Sequence, residues 1–164
     1  MKNSEFDKEV VFDTEDGMKD KYLVFKIENQ FYAIEIRYVT EIIGIQPITE
    51  IPHQQPYVKG VINLRGKIIP VIDVRIRMGK EFRKYDDRTC IIVVNVNDVD
   101  VGLIVDYVSE VLIIKEEALS TPPDISEADD ENKFVRYVGN LTDRLILILD
   151  CEKLVLPDKV IKLN

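Results

Sequence analysis

From Tyr22 onward the chain is written in short apolar runs separated by turn residues. The first five cover 22–27, 31–36, 40–45, 58–63 and 67–72, with breaks at Glu28-Asn29-Gln30, from Gly44 to Pro47, from Pro52 to Pro56, and at Gly66. Runs of this length, rich in β-branched and aromatic residues, predict the strands of an all-β sandwich or barrel. No segment holds a 3.6-residue period for three turns, which argues against an α/β fold.

One stretch organises the rest: Gly60-Val61-Ile62-Asn63-Leu64-Arg65-Gly66-Lys67-Ile68-Ile69-Pro70-Val71-Ile72-Asp73. An apolar run enters, Asn63 and Arg65-Gly66 interrupt it, and a second run leaves. The pattern predicts strand, tight turn, strand, with Gly66 supplying the positive φ a hairpin needs. Arg65 stands at the bend, where a long cation points outward.

The pattern then returns. Residues 32–43 overlay 101–112 without a gap at an offset of 69, with Tyr38/Tyr107, Val39/Val108 and Glu41/Glu110 identical. Residues 58–74 overlay 135–151 at an offset of 77, with Val58/Val135, Asn63/Asn140, Leu64/Leu141, Ile69/Ile146 and Asp73/Asp150 identical. A repeat of this size implies two copies of one supersecondary unit, packed to bury what neither buries alone. Positions shared by both copies are expected to serve the fold. Asp73 and Asp150 each precede a short amphipathic turn and are expected to cap it; Asn63 and Asn140 suit turns. Arg65 faces Thr142 in this alignment, so the fold itself is expected to place no demand for arginine there.

The stretch 60–73 resembles the signature of the CheW-type adaptor proteins of bacterial and archaeal chemotaxis. The likeness extends through Tyr22-Leu23-Val24-Phe25, Tyr32 to Ile36, Val39 to Ile42, Gly102 to Asp106 with Val108, and Asp143 to Leu147. It covers roughly residues 21–156. The resemblance implies two small, pseudo-symmetric five-stranded SH3-like β-barrels, intertwined and packed together. Residues 1–20, acidic and without a sustained period, are expected to be a disordered extension added to that family pattern, and 157–164 a tail. The resemblance also implies a non-catalytic, cytoplasmic scaffold of two-component signal transduction with no cofactor. Such a protein couples the cytoplasmic tip of chemoreceptors (methyl-accepting chemotaxis proteins) to the regulatory domain of the histidine kinase CheA, and is recruited to membrane-associated receptor arrays. Carried onto this chain, Val39, Glu41 and Arg65 fall at positions associated with receptor contact, and Gly60 supports that corner.

Charge sharpens this reading. The chain has 164 residues and a formal net charge of −8, but residues 1–20 carry seven acids against three lysines, and residues 120–132 carry five acids and no base. The rest is close to neutral, so no basic stripe is available to follow a nucleic-acid backbone. With 46% hydrophobic residues the chain can fill a core. Apolar runs such as 145–149 are far shorter than the ~20 residues a spanning helix requires, and the acidic start is unlike a secretory leader. Cys90 and Cys151 stand apart in apolar surroundings and read as buried free thiols.

Catalysis is disfavoured. Asp73 and Asp106 invite an acid–base reading, but Asp73 has its expected cap and Asp106 ends a strand where its repeat counterpart is Arg37. His53, the single histidine, lies in a Pro-rich loop without nucleophile or metal partners. Surface presentation remains. Beyond the Arg65 corner, Val108, Val111 and Leu112 are expected to offer an apolar kinase contact, since paired barrels of like fold meet through self-similar apolar patches. Ile125, a lone large apolar residue in an acidic Pro-rich loop, is expected to serve contacts in higher assembly. A paralogous adaptor serving a non-flagellar pathway, or a generic β-barrel binding module, are the alternative readings.

Overall fold

The computed structural model of the protein describes residues 15–122 and 132–156. A single helical turn, α1 (Glu15–Met18), leads into eleven strands: β1 (Lys21–Ile27), β2 (Gln30–Glu35), β3 (Val39–Gly44), β4 (Val58–Leu64), β5 (Lys67–Asp73), β6 (Cys90–Val96), β7 (Val99–Val105), β8 (Tyr107–Ile113), β9 (Leu119–Ser120), β10 (Val135–Asn140) and β11 (Leu145–Leu149). Two short helices, α2 (Val74–Arg77) and α3 (Cys151–Val155), follow β5 and β11. All five strands expected from the first apolar runs are present to within a residue or two at each end.

The strands form two sheets, ordered β8-β1-β2-β11-β10-β9 and β3-β6-β7-β5-β4. Through the repeat, β6, β7, β8, β10 and β11 are the second copies of β1 to β5. Each sheet therefore has one internal order, third-first-second-fifth-fourth. Each is nevertheless assembled from both copies: the hairpin β1–β2 joins β8, β10 and β11, while β6–β7 joins β3, β4 and β5. The central contacts are parallel in both sheets, β11 with β2 (Leu147 opposite Tyr32) and β5 with β7 (Ile72 opposite Leu103). Two refinements to the expected pair of five-stranded barrels follow. β9 adds a sixth strand by pairing Ser120 with Val138, and neither ladder closes into a ring among the described residues.

Burial explains why the apolar runs are nearly continuous. Side chains alternate across a strand, and the hairpins β1–β2 and β6–β7 are covered on both faces. Leu23, Phe25, Ile27, Tyr32 and Ile34 meet Ile92, Val94, Val96, Leu103 and Val105 in a cluster shared by the two sheets. The intervening Tyr22, Val24 and Ala33 fill the first sheet with Ile146 and Ile148. Ile91, Val93 and Ile104 fill the second with Ile62, Ile69 and Val71.

Both expected caps form. Asp73 Oδ1 accepts the N–H of Arg75 at 3.0 Å and of Ile76 at 3.4 Å; Asp150 Oδ1 accepts the Lys153 N–H at 3.1 Å. The cysteines are free, but only Cys151 is buried. Cys90, at the first position of β6, is half-buried. Burial first, then Asp150, Glu35 and Glu152, push the Cys151 thiol up to about 12.

Two arginines of α2 tie the halves together. Arg77, buried between the rings of Tyr57 and Phe134, donates to the carbonyls of Leu154 at 3.0 Å, Lys153 at 3.0 Å and Leu156 at 2.8 Å. It thus satisfies carbonyls at the C-terminus of the other copy's helix. Arg75 makes a two-pronged contact with Asp106, Nε to Oδ1 at 3.0 Å and Nη2 to Oδ2 at 2.7 Å. Its Nη1 reaches Glu28 Oε2, in the β1–β2 turn of the opposite sheet, at 3.0 Å.

Candidate functional site

The β4–β5 hairpin turns on Arg65 and Gly66, with φ of 53° and 87°. Two successive positive φ values are the signature of the tight hairpin turn whose twist matches its strands. Asn63 fixes it, its side-chain oxygen accepting the Gly66 N–H at 2.8 Å. The Arg65 side chain, 68% exposed, pairs with Glu41 on β3. Both partners belong to one sheet, so the pair does not join the two halves, and Asp106 is engaged elsewhere. Thr40, Glu41, Leu64, Arg65, Val93 and Asp100 line a shallow groove here. Its far side is held by a Lys67–Asp100 ion pair.

β3 brings Glu41 to the corner through an irregular register against β6 between Val39 and Glu41. The Thr40 hydroxyl donates to the Val93 carbonyl at 3.1 Å. Val39, opposite Val94, is half-buried against the shared inter-sheet cluster. Gly60 is buried and lies behind the corner. Its φ is +142°, and an added Cβ would lie 2.1 Å from the Thr49 carbonyl oxygen. Thr49 needs that approach, since it exchanges two backbone hydrogen bonds of 2.9 Å with Val61. Gly60 therefore shapes the corner from within.

The other expected residues lie on β8, an edge strand of the first sheet. Val108 and Val111 pack on the shared cluster beside Phe25 and Leu23, and Leu112 packs into the first sheet beside Tyr22. All three are half-buried, while Ile113 is exposed. Val39 and Val108 are repeat equivalents, so the two sets of expected contact residues flank the same central cluster from corresponding edges. Ile125 lies outside the described residues.

The repeat comparison adds to one expectation. Thr142 indeed stands opposite Arg65, yet the second copy builds the same pair by another route. Arg144, the counterpart of Lys67, donates to Glu110, the counterpart of Glu41, at 2.6 Å. Arg144 also lies 4.5 Å over the Phe31 ring, where the first copy has the Lys67–Asp100 pair. A glutamate on the third strand held by a hairpin cation is thus common to both halves. Only in the first does that cation stand at the bend.

The two candidate acids are committed internally. Asp73 caps α2 and accepts the Tyr85 hydroxyl at 2.7 Å; burial, then this contact, raise the Tyr85 phenol. Burial pushes the Asp106 carboxyl up, but Arg75, the Glu28 N–H and Arg83 outweigh it and hold it below the usual carboxylate range. Arg75, Arg77 and Tyr85 were not singled out by sequence reasoning. Their signal was available as two arginines inside the apolar turn Val74-Arg75-Ile76-Arg77-Met78, where a buried cation needs partners.

In this duplicated β scaffold the buried Asp73, Arg75 and Arg77 are engaged by internal partners, and an ion-paired corner is left at the surface, an arrangement suited to presenting surfaces. Comparison with known proteins agrees. The model of the CheW-like domain matches residues 21–157. The chain is 34% identical over 140 residues to the chemotaxis protein CheW of Klebsiella aerogenes, covering 85% of this chain and 84% of that one. It is 38% identical over 132 residues to the probable chemotaxis protein CheW of Rhizobium etli, covering 80% and 84%. The crystal structure of the scaffolding protein TtCheW from Thermoanaerobacter tengcongensis superposes with a TM-score of 0.75 at 35% identity, covering 85% of this chain and 89% of that chain. The chain belongs to the CheW-like family, and its role is that of a chemotaxis adaptor.

Proposed function

We propose that this adaptor couples the cytoplasmic tip of a chemoreceptor to the regulatory domain of a CheA-type histidine kinase, without turnover of its own. The observation that carries the reading is the Arg65 corner: a guanidinium whose side chain is 68% exposed, set at a bend by Asn63 and Gly66, and paired, among the described residues, with Glu41 of its own sheet. Receptor contact is assigned to Val39, Glu41 and Arg65 over the Gly60 support. Coupling is linkage: receptor state changes kinase activity only through differential contacts passed across this protein. Its place is the cytoplasm, at receptor arrays; no helix among the described residues is long and apolar enough to cross a membrane.

Arg65→Ala tests the assignment. Charge-assisted hydrogen bonds are worth roughly 1.5–3 kcal/mol, so receptor-tip affinity is expected to fall on the order of tenfold to a hundredfold. Folding is expected to change by less than about 0.5 kcal/mol, as for most surface positions, and binary kinase binding to persist. Joint loss of stability and of both partners would make Arg65 structural. Failure of the unaltered chain to bind either partner would remove the reading altogether.

The kinase contact is assigned to the β8 edge with Val108, Val111 and Leu112. An apolar contact is insensitive to screening, whereas exposed charges more than about 10 Å apart are screened at 0.1 M salt. Kinase affinity is therefore expected to change only slightly between low and high ionic strength. A collapse across that range would show an electrostatic contact instead. Ile125 is assigned to contacts between assembled complexes, which clustering of Ile125→Ser complexes reports; unchanged clustering would withdraw it.

A further inference from the structure

The described chain passes between the two sheets twice, at 36–38 between β2 and β3 and at Asp106 between β7 and β8. Arg37 and Asp106, at these crossings, are repeat counterparts of opposite charge. Each is met by the short helix of the other repeat. Asp106 takes the fork of Arg75 on α2. Arg37 Nη2 donates to the Tyr38 hydroxyl at 2.9 Å, which donates at 3.2 Å to Glu152 on α3. Glu152 is the counterpart of Arg75, so both members of the contact are reversed in sign. A third position breaks the symmetry as well. Tyr57 and Phe134 are counterparts, their carbonyls accepting the N–H of Asp73 and of Asp150 at 2.8 Å each. Arg77 stands between their rings, 4.3 Å and 4.9 Å away, whereas its own counterpart is Leu154.

The apolar core does not distinguish the repeats. Leu23/Ile92, Phe25/Val94, Ile27/Val96 and Ile34/Leu103 are counterpart pairs within one cluster, and cores tolerate exchanges that keep total volume and pattern. By hydrophobic pattern alone, the first repeat of another molecule would serve in place of the second repeat. We propose that Arg37, Arg75, Arg77, Asp106 and Glu152 prevent this, so that a first repeat accepts only a second repeat and like never packs on like. In a pairing of two first repeats, Arg75 would face Arg37, and two Arg77 side chains would compete for one space between two Tyr57 rings. In a pairing of two second repeats, Asp106 would face Glu152, and two leucines would leave the α3 carbonyls without the donors that Arg77 supplies. Arg75 and Arg77 are both buried, so neither cation could turn to water, and a buried charge without a partner is strongly disfavoured. Discrimination of this kind rests on repulsion in the wrong pair as much as on attraction in the right one.

The test uses the full-length chain, unfolded in urea and refolded over a range of concentrations, with dimers and larger species measured by light scattering on a sizing column. Arg37→Glu/Glu152→Arg leaves both natural contacts opposite in sign but makes the like-with-like contacts opposite too. The oligomer fraction is expected to rise several-fold over that of the native chain and to grow with concentration. Arg75→Asp/Asp106→Arg follows the same sign logic and has the same expected result. Joining the two double substitutions makes like-with-like contacts repel again. The fourfold variant is therefore expected to return toward the native fraction, although it carries twice the substitutions. Double variants that refold with no more oligomer than the native chain would overturn the proposal. So would a fourfold variant that misassembles as much as either double one, since the defect would then be lost stability and not lost discrimination.

Discussion

Gly60→Ala is expected to lower the melting temperature by about 10 °C or more and to weaken binding of both partners together. The position combines two independent demands. Its φ of +142° lies where L-residues are strained, and the added Cβ would meet the Thr49 carbonyl oxygen at 2.1 Å. That oxygen is backbone and hydrogen-bonded to the Val61 N–H at 2.9 Å, so it cannot swing aside as a flexible side chain would. Unfavourable φ costs of order 1–3 kcal/mol and overpacking a further 1–3 kcal/mol; at this chain length each kcal/mol moves the midpoint by about 2–5 °C. Gly66→Ala is the internal control. Its φ is +87° but nothing stands within 4 Å of the added carbon, so only the conformational cost of about 1 kcal/mol applies. Thermal unfolding of both variants decides it: equal, small losses would mean that the segment bearing Thr49, between β3 and β4, is free to move away from Gly60.

Local chemistry was the legible part of this molecule. Strand positions, the hairpin at Arg65-Gly66 and the caps at Asp73 and Asp150 rest on interactions within a few residues, and sequence spacing reports those directly. The repeat showed that two equivalent units exist, but not which strands of each share a sheet. β1–β2 is apolar on both faces and so must be covered on both, but that demand does not choose β8 and β11 as its neighbours within the sheet. The Glu110–Arg144 pair escaped for a related reason. A long cation can reach the same glutamate from a bend or from two positions further along, so aligned identities do not track it. Arg75 and Arg77 escaped because their partners are distant in sequence, 31 residues away at Asp106 and 77 at Leu154. The Arg65 corner was visible as a turn; its ion pair with Glu41 required the register of β3.

Arg75→Ala is expected to cost about 3–5 kcal/mol at neutral pH, the range seen when one partner of a buried ion pair is removed. The Arg75 side chain is 6% exposed and Asp106 15%, so water cannot replace the lost donors. Arg83 and the Glu28 N–H, each within 3.0 Å of Asp106 Oδ2, would hold the carboxylate only in part. The cost should depend on pH in a defined direction. Asp106 is held below its ordinary range in the folded chain, so it binds fewer protons folded than unfolded near pH 4. Its contribution is complete above the unfolded carboxylate value and is lost as pH falls through the lower, folded one. The variant lacks most of that contribution. The stability gap between the two proteins, measured by urea unfolding at pH 7, 5 and 3.5, is therefore expected to be constant down to about pH 5 and to narrow below it. Arg75→Met, which keeps the aliphatic stem, is expected to lose nearly as much at pH 7. A gap that does not change with pH, or a methionine variant close to the native chain, would mean that Arg75 acts through packing and not through Asp106.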